Sequence, residues 1–248
     1  MNTAEIQRRM YDEVGSVRFM RRDRAFRRRL SIVHTFLQSL PPGKLLDVGC
    51  SNGEITRTFA KHELFGMDIS PVSVDEACGN GINARVGDLE AEFPFDEGAF
   101  DIVFSGETIE HTIRTDFFLS QCNRMLRDGG HLVLTTPNVN SLASIIIMHM
   151  LDLPPVAAAR YRSPHVRDFT KRVLGHALNQ NGFEVLAVRG TFLGFPWPRV
   201  VDVIIGPIDS TVAYLAPRIS AGLVVLARKT KEARYDASTE FQEALDIH

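Results

Sequence analysis

Short apolar runs alternate with helix-length amphipathic segments through most of the chain, and this alternation restricts the fold more than any other feature. The runs lie at Leu45–Val48, Leu64–Met67, Ile82–Val86, Ile102–Phe104, Leu132–Leu134, Val185–Val188 and Leu223–Leu226, flanked by glycine or aspartate. Segments of helical spacing separate most of them, at Ile55–Lys61, Pro71–Cys78, Asp116–Leu126 and Phe169–Asn179. Strand, helix, strand repeated in this way is the sequence form of a doubly wound, mostly parallel α/β sheet. Upstream, residues 3–40 read as helix, with Val17, Met20, Phe26, Leu30, Val33 and Phe36 at roughly helical spacing, until Pro41-Pro42-Gly43 stops it. The organisation expected is therefore an N-terminal helical extension over residues 1–40, a main domain over 41–230 and a polar tail over 231–248. Within the main domain Gly190–Ser220 carries Pro196, Pro198, Pro207, Pro217 and the only tryptophan, Trp197, and reads as a lid or substrate-side insertion.

Composition bears on partners and compartment. With 44% hydrophobic residues in 248, the chain can bury a full core, and its net charge of −2 exerts no overall pull toward nucleic acid or an anionic membrane. Nine arginines between Arg8 and Arg29 are a local exception; a solvated helix face is the expectation and an anionic partner the alternative. Three widely spaced cysteines, Cys50, Cys78 and Cys122, support neither a disulfide framework nor a zinc ribbon, and a reducing cytoplasm fits. No secretory signal is expected from the polar start. The apolar stretches Ile145–Met148 and Val200–Ala216 break well before the ~20 residues a membrane span needs, which leaves surface contact with a membrane compatible.

Acids mark the carboxyl ends of the first three strands. Leu45–Val48 runs into Gly49-Cys50-Ser51-Asn52-Gly53, a turn where glycine lets the backbone bend sharply and approach a ligand. Asp47 inside the strand end argues against phosphate and for a cationic ligand. The second strand ends in Asp68-Ile69, placed to hydrogen-bond ribose hydroxyls, and the third is followed by Asp88-Leu89, where a carboxylate can accept from an adenine amine. Each aspartate alone is commonly a turn cap; three at successive strand ends, where ligands bind such sheets, point to one nucleoside site.

In this order LLDVGCSNGEIT, FGMDIS, VGDLEAEFPFDEGAFDIVFSGETIEHT and LRDGGHLVLTTPN resemble the successive motifs of class I S-adenosylmethionine-dependent methyltransferases. The resemblance is strong over about residues 44–138. It implies a Rossmann-like seven-stranded sheet of order 3-2-1-4-5-7-6 and S-adenosylmethionine as cofactor. By that resemblance Gly49, Ser51 and Gly53 line the methionine and ribose side, Asp68 with Ile69 binds the ribose, Asp88 with Leu89 flanks the adenine, and Asp47 and Ser105 at their strand ends are further cofactor-binding candidates. Ser51 stands where the family more often has glycine.

The fourth strand empties into Ser105-Gly106-Glu107-Thr108-Ile109-Glu110-His111. On a helix Glu107, Glu110 and His111 share one face, a candidate catalytic set. Glu-x-x-Glu-His resembles the metal-binding motif of ubiquinone-biosynthesis O-methyltransferases and of small-RNA 2′-O-methyltransferases. That likeness adds His165 as a fourth ligand for Mg²⁺, Mn²⁺ or Zn²⁺; His111 acting as a metal-free general base is the competing mechanism. Three readings follow: O-methylation of a small hydroxylated metabolite; methylation of RNA, disfavoured because no RNA-binding region follows Thr-Pro-Asn; and a non-catalytic relative that binds the cofactor.

Overall fold

The computed structural model of the protein describes residues 24–152, 165–193, 199–233 and 235–236; the expected helix upstream of residue 24, the proline-rich start of the insertion and the tail beyond Asp236 lie outside them. Seven strands, β1 (Lys44–Val48), β2 (Glu63–Asp68), β3 (Asn83–Val86), β4 (Phe100–Gly106), β5 (Leu126–Pro137), β6 (Phe183–Gly190) and β7 (Gly222–Lys229), form one sheet of order β3-β2-β1-β4-β5-β7-β6. The first five pair in parallel, while β7 runs antiparallel to both β5 and β6. This is the sheet anticipated from the sequence, strand for strand.

Both faces are covered, which is why β1 reads as an unbroken apolar run except at Asp47: Leu45, Leu46 and Val48 are wholly buried. Helix α1 (Arg24–Ser39) lays Ile32, Val33, Phe36 and Leu37 on one face, against Leu45, Phe104, Val133 and Val224. On the other face α3 (Thr115–Met125) and α5 (Lys171–Gln180) pack Phe118, Leu119, Cys122, Leu174 and Leu178 against Leu46, Val103, Leu132 and Val225. Helix α2 (Pro71–Gly79) starts where Ser70 caps the amide of Ser73 and proline occupies the first turn. Helix α4 (Leu142–Leu151), capped by Ser141, follows β5, and α6 (Arg199–Leu215) lies in the stretch read as a lid or substrate-side insertion. Among the described residues no helix is long and apolar enough to cross a membrane.

Two expectations need correction. Ile55–Lys61 does not form a helix; only a single 3-10 turn, Thr56–Thr58, is present. The Thr56 hydroxyl donates to Asp47 Oδ2 at 2.6 Å and the Thr58 hydroxyl to the Ile55 carbonyl, so side chains compete with the helical ladder. In contrast, β5 spans twelve residues where only Leu132–Leu134 stood out. The polar stretch Arg127-Asp128-Gly129, with Gly129 at φ +70°, masks its beginning, and the register with β4 shifts between Phe100 and Ile102.

One side chain joins the end of β5 to the insertion. Asn138 is buried, and its amide donates to the carbonyls of Ser220 at 2.7 Å and Arg218 at 3.0 Å, while its carbonyl accepts from the Asn140 amide at 3.1 Å. Asn138→Ala strands those carbonyls and should destabilise the protein by about 2 kcal/mol, with hydrogen exchange accelerated across residues 206–221. Exchange there equal to that of the unmodified protein would remove Asn138 as the anchor.

Candidate active site

The chain leaves β1 through backbone that is left-handed at Gly49 (φ +85°), Ser51 (φ +48°) and Gly53 (φ +75°). The amides of Gly49 and Cys50 donate to the Met67 carbonyl at 2.8 and 3.0 Å, and the Ser51 amide donates to Asp68 Oδ2 at 2.9 Å, so the loop is clamped to the end of β2. A Cβ on Gly49 would meet Thr108 Oγ1 at 2.7 Å, which leaves only glycine there. A Cβ on Gly53 would meet Ile82 and Ala77, so a glycine there lets the loop pack closely on α2; it lines neither cavity of the site. Ser105 is fully buried within β4, its hydroxyl has no hydrogen-bond partner, and it lines neither cavity.

A cavity of about 410 Å³ opens along the carboxyl edge of the sheet, within the range of small-molecule sites. Gly49, Ser51, Asp68, Ile69, Asp88 and Leu89 line it, together with Glu107, Glu110, His111 and His165. Asp47 lines a smaller adjoining recess of about 60 Å³ that shares Gly49, Ser51, Glu107 and Arg29 with the larger cavity. The three strand-end acids therefore gather at one place. Asp68 and Asp88 also cap their turns, accepting from the amides of Ser70 and Glu90 at 3.0 and 2.9 Å, so the turn-cap role and the ligand-facing position coincide.

Asp47 is almost completely buried, and desolvation pushes its carboxyl up to about 7 despite the hydrogen bond from Thr56, with Asp68 adding repulsion. The helix expected from Glu107 is absent. Glu107 is left-handed (φ +55°), and its amide donates to the Thr135 carbonyl and hydroxyl, both at 3.1 Å, holding the chain to β5. Only a 3-10 turn, Ile109–His111, follows. Glu107 instead pairs with Arg29 of α1 at 2.7 Å and accepts from the Thr135 hydroxyl at 3.0 Å.

Glu110, His111 and His165 each offer one ligand atom, and these atoms lie within 4.8 Å of one another; Glu107 is not part of that group. His165 is brought in because the amides of Val166 and Arg167 donate to the Glu110 carbonyl at 2.9 and 3.1 Å, and the two imidazole centroids are 4.8 Å apart. Glu110 is buried. Its Oε2 accepts from the Thr136 hydroxyl at 3.1 Å, its Oε1 has no partner, and burial with repulsion from Glu107 holds its carboxyl well above the usual range. Burial lowers the pKa of His165.

A family model for the methyltransferase domain matches residues 20–188. The chain belongs to the methyltransferase domain family. Among curated relatives, a ubiquinone biosynthesis O-methyltransferase of Sinorhizobium fredii is 33% identical over 108 residues, 41% of this methyltransferase and 44% of that protein. The chain thus spans less than half of that relative's length. A solved S-adenosylmethionine-dependent methyltransferase of Thermotoga maritima superposes with a TM-score of 0.60 at 18% identity, over 81% of this chain and 87% of that one. The cyclase SpnF superposes with a TM-score of 0.57 at 19% identity, over 82% of this chain and 81% of its own, so the shared architecture by itself does not dictate the reaction.

Sequence reasoning missed Arg29 and Phe26, which line both cavities. They sit on the helix whose arginines were taken as a solvated face, and nothing in the arginine run distinguishes the inward-turned one.

Two outcomes are expected. Ser51→Gly relieves a left-handed side-chain-bearing residue and should stabilise the protein by about 1 kcal/mol, read as a higher melting temperature; an unchanged or lower one would mean the backbone there carries no strain. Asp47 titrates higher in the folded protein than in the unfolded chain. Its contribution is therefore complete below the unfolded pKa and lost as pH rises from about 4 to about 7. Asp47→Asn should flatten the denaturation profile in that window and make the protein more stable at pH 8, by about 2–4 kcal/mol. An identical slope in both proteins would refute the assignment.

Proposed function

We propose that this methyltransferase moves the methyl group of S-adenosylmethionine to a hydroxyl of a small hydroxylated metabolite. One observation carries the reading: the strand-end acids Asp68 and Asp88 and the group Glu110–His111–His165 line a single cavity. The adenosine is bound by Asp68 and Ile69 at the ribose and by Asp88 and Leu89 at the base. Gly49, Ser51 and Asp47 face the methionine end, and the three acids favour a cationic ligand. The donor, when bound, supplies an electrophilic sulfonium methyl, so the chain has only to orient the acceptor and take its proton.

Glu110, His111 and His165 perform that part. A carboxylate oxygen and two imidazole nitrogens suit Mg²⁺, Mn²⁺ or Zn²⁺, and Glu110 Oε1, buried without a partner, is a donor set aside for a cation. Such an ion, held by these three residues, would lower the pKa of a coordinated hydroxyl. Thr136 orients Glu110 through its hydroxyl, and the backbone bonds from Val166 and Arg167 fix His165 beside His111. Glu107, tied to Arg29 and Thr135, adds negative potential next to the group. Oxygen as the methylated atom is supported by the O-methyltransferases among the relatives.

Asp68→Asn retains one acceptor for the Ser51 and Ser70 amides and should weaken S-adenosylmethionine binding at least tenfold by calorimetry; undiminished affinity removes the ribose assignment. His165→Ala should cut turnover about 100-fold or more, and EDTA should abolish it with recovery on adding Mg²⁺, Mn²⁺ or Zn²⁺. Chelator-insensitive turnover by a metal-free preparation would leave His111 as the base.

A further inference from the structure

Arg28 and Arg189 converge on Tyr214 without a counter-charge. Their guanidinium carbons lie 5.5 and 4.9 Å from the centroid of its ring. Among the described residues Arg28 makes no hydrogen bond or ion pair, Arg189 makes one hydrogen bond, from Nη1 to the Val188 carbonyl at 3.0 Å, and the Nε atoms of both are buried without a partner. Arg114, which also stacks on a ring, instead bonds the Glu90 carboxylate. Two like charges drawn to one ring repel each other, and an anion shared between them would offset that repulsion. Guanidinium groups are suited to receive phosphate or carboxylate oxygens in pairs.

The place of this cluster in the fold says which anion. Arg189 pairs in register with Val224 of β7, and Val224 with Thr135 of β5. Ala187 and Val224 both pack in the core beneath α1, and Arg189, two residues beyond Ala187, rises on the same face. Arg189 thus stands at the carboxyl edge of the sheet, two strand spacings or about 10 Å from Thr135, whose hydroxyl binds Glu107 in the wall of the cavity. Arg28 precedes Arg29, which pairs with that same Glu107. Tyr214 belongs to α6, the helix over the expected substrate side.

We propose that Arg28, Arg189 and Tyr214 form an oxyanion site that holds a phosphate or carboxylate group of the methyl acceptor, about 10 Å from the cavity wall. This rests on the methyl-transfer reading and narrows it: the acceptor is a hydroxylated metabolite that also carries an anion. No covalent step occurs at the site; it orients the acceptor and selects against neutral analogues.

Inorganic phosphate is the probe for the site itself. Its titration, followed by the guanidinium Nε–H resonances, should shift the Arg28 and Arg189 signals saturably. Arg28→Gln and Arg189→Gln should each weaken that binding at least tenfold, Tyr214→Phe should retain it, and S-adenosylmethionine affinity should stay within twofold in all three. Phosphate affinity unchanged by the arginine substitutions overturns the proposal, and so does an absence of saturable shifts. For the acceptor, the protein is incubated with methyl-labelled S-adenosylmethionine and a small-molecule extract fractionated by anion exchange. A labelled product retained on the column, whose KM rises in Arg189→Gln by tenfold more than kcat falls, is expected. A neutral product with unchanged KM overturns the acceptor assignment. Loss of S-adenosylmethionine binding in the unmodified protein would instead refute the methyl-transfer reading while the phosphate titration stands by itself.

Discussion

Negative charge concentrated at one edge of a parallel sheet is the constraint from which the rest of this molecule follows. Asp47, Asp68, Asp88, Glu107 and Glu110 border one cavity and its recess, whereas Arg29 is the one lysine or arginine among the described lining residues. Such an imbalance is costly in a partly desolvated space. It shows in Asp47, pushed up to about 7, and in Glu110, held well above the usual carboxylate range. A site of this kind is stabilised by ligands that bring positive charge. Fold and chemistry are linked through that edge: each acid is delivered by the end of a strand, and strand order decides which acids meet.

The backbone contributes as much as the side chains. Gly49 and Ser51 turn left-handed so that two successive amides close on Met67 and a third on Asp68. The same device recurs at Glu107, whose left-handed turn keeps its amide on Thr135 of β5 and its carboxylate toward Arg29. Sparsely populated conformations of residues other than glycine cost of order 1 kcal/mol or more and persist where surrounding bonds enforce them. Of the three such positions among the described residues, Ser51, Glu107 and Asp152, the first two line the cavity.

Much of the fold was legible in the sequence because buried strands and amphipathic helices write their periods plainly, and the motif order named the sheet order. The convergence of Asp68 and Asp88 on one cavity was legible too, since both follow directly from the strand ends. The acceptor end was less so. Glu107, Glu110 and His111 carry helical spacing, yet the chain stays bonded to β5 at Glu107 and begins only a 3-10 turn at Ile109, a tertiary bond that no local pattern reveals. His165 was placed by resemblance, and what brings it in is backbone bonding to the Glu110 carbonyl. Ile55–Lys61 failed as a helix because Thr56 turns its hydroxyl to buried Asp47. Arg29 was missed because a run of arginines gives no hint of which one faces inward. Gly53 packs on α2 and Ser105 is buried in β4, placements that their motif positions alone do not reveal.

Proton-linked calorimetry tests the charge argument most directly. Titrating S-adenosylmethionine into the protein at pH 6, in buffers of different ionisation enthalpy, reports how many protons the complex gains or loses. If a cation is seated beside the protonated Asp47, its carboxyl ionises on binding, and close to one proton should be released, a release that vanishes in Asp47→Asn. Binding with no proton release, or with the same release in that variant, would contradict the account.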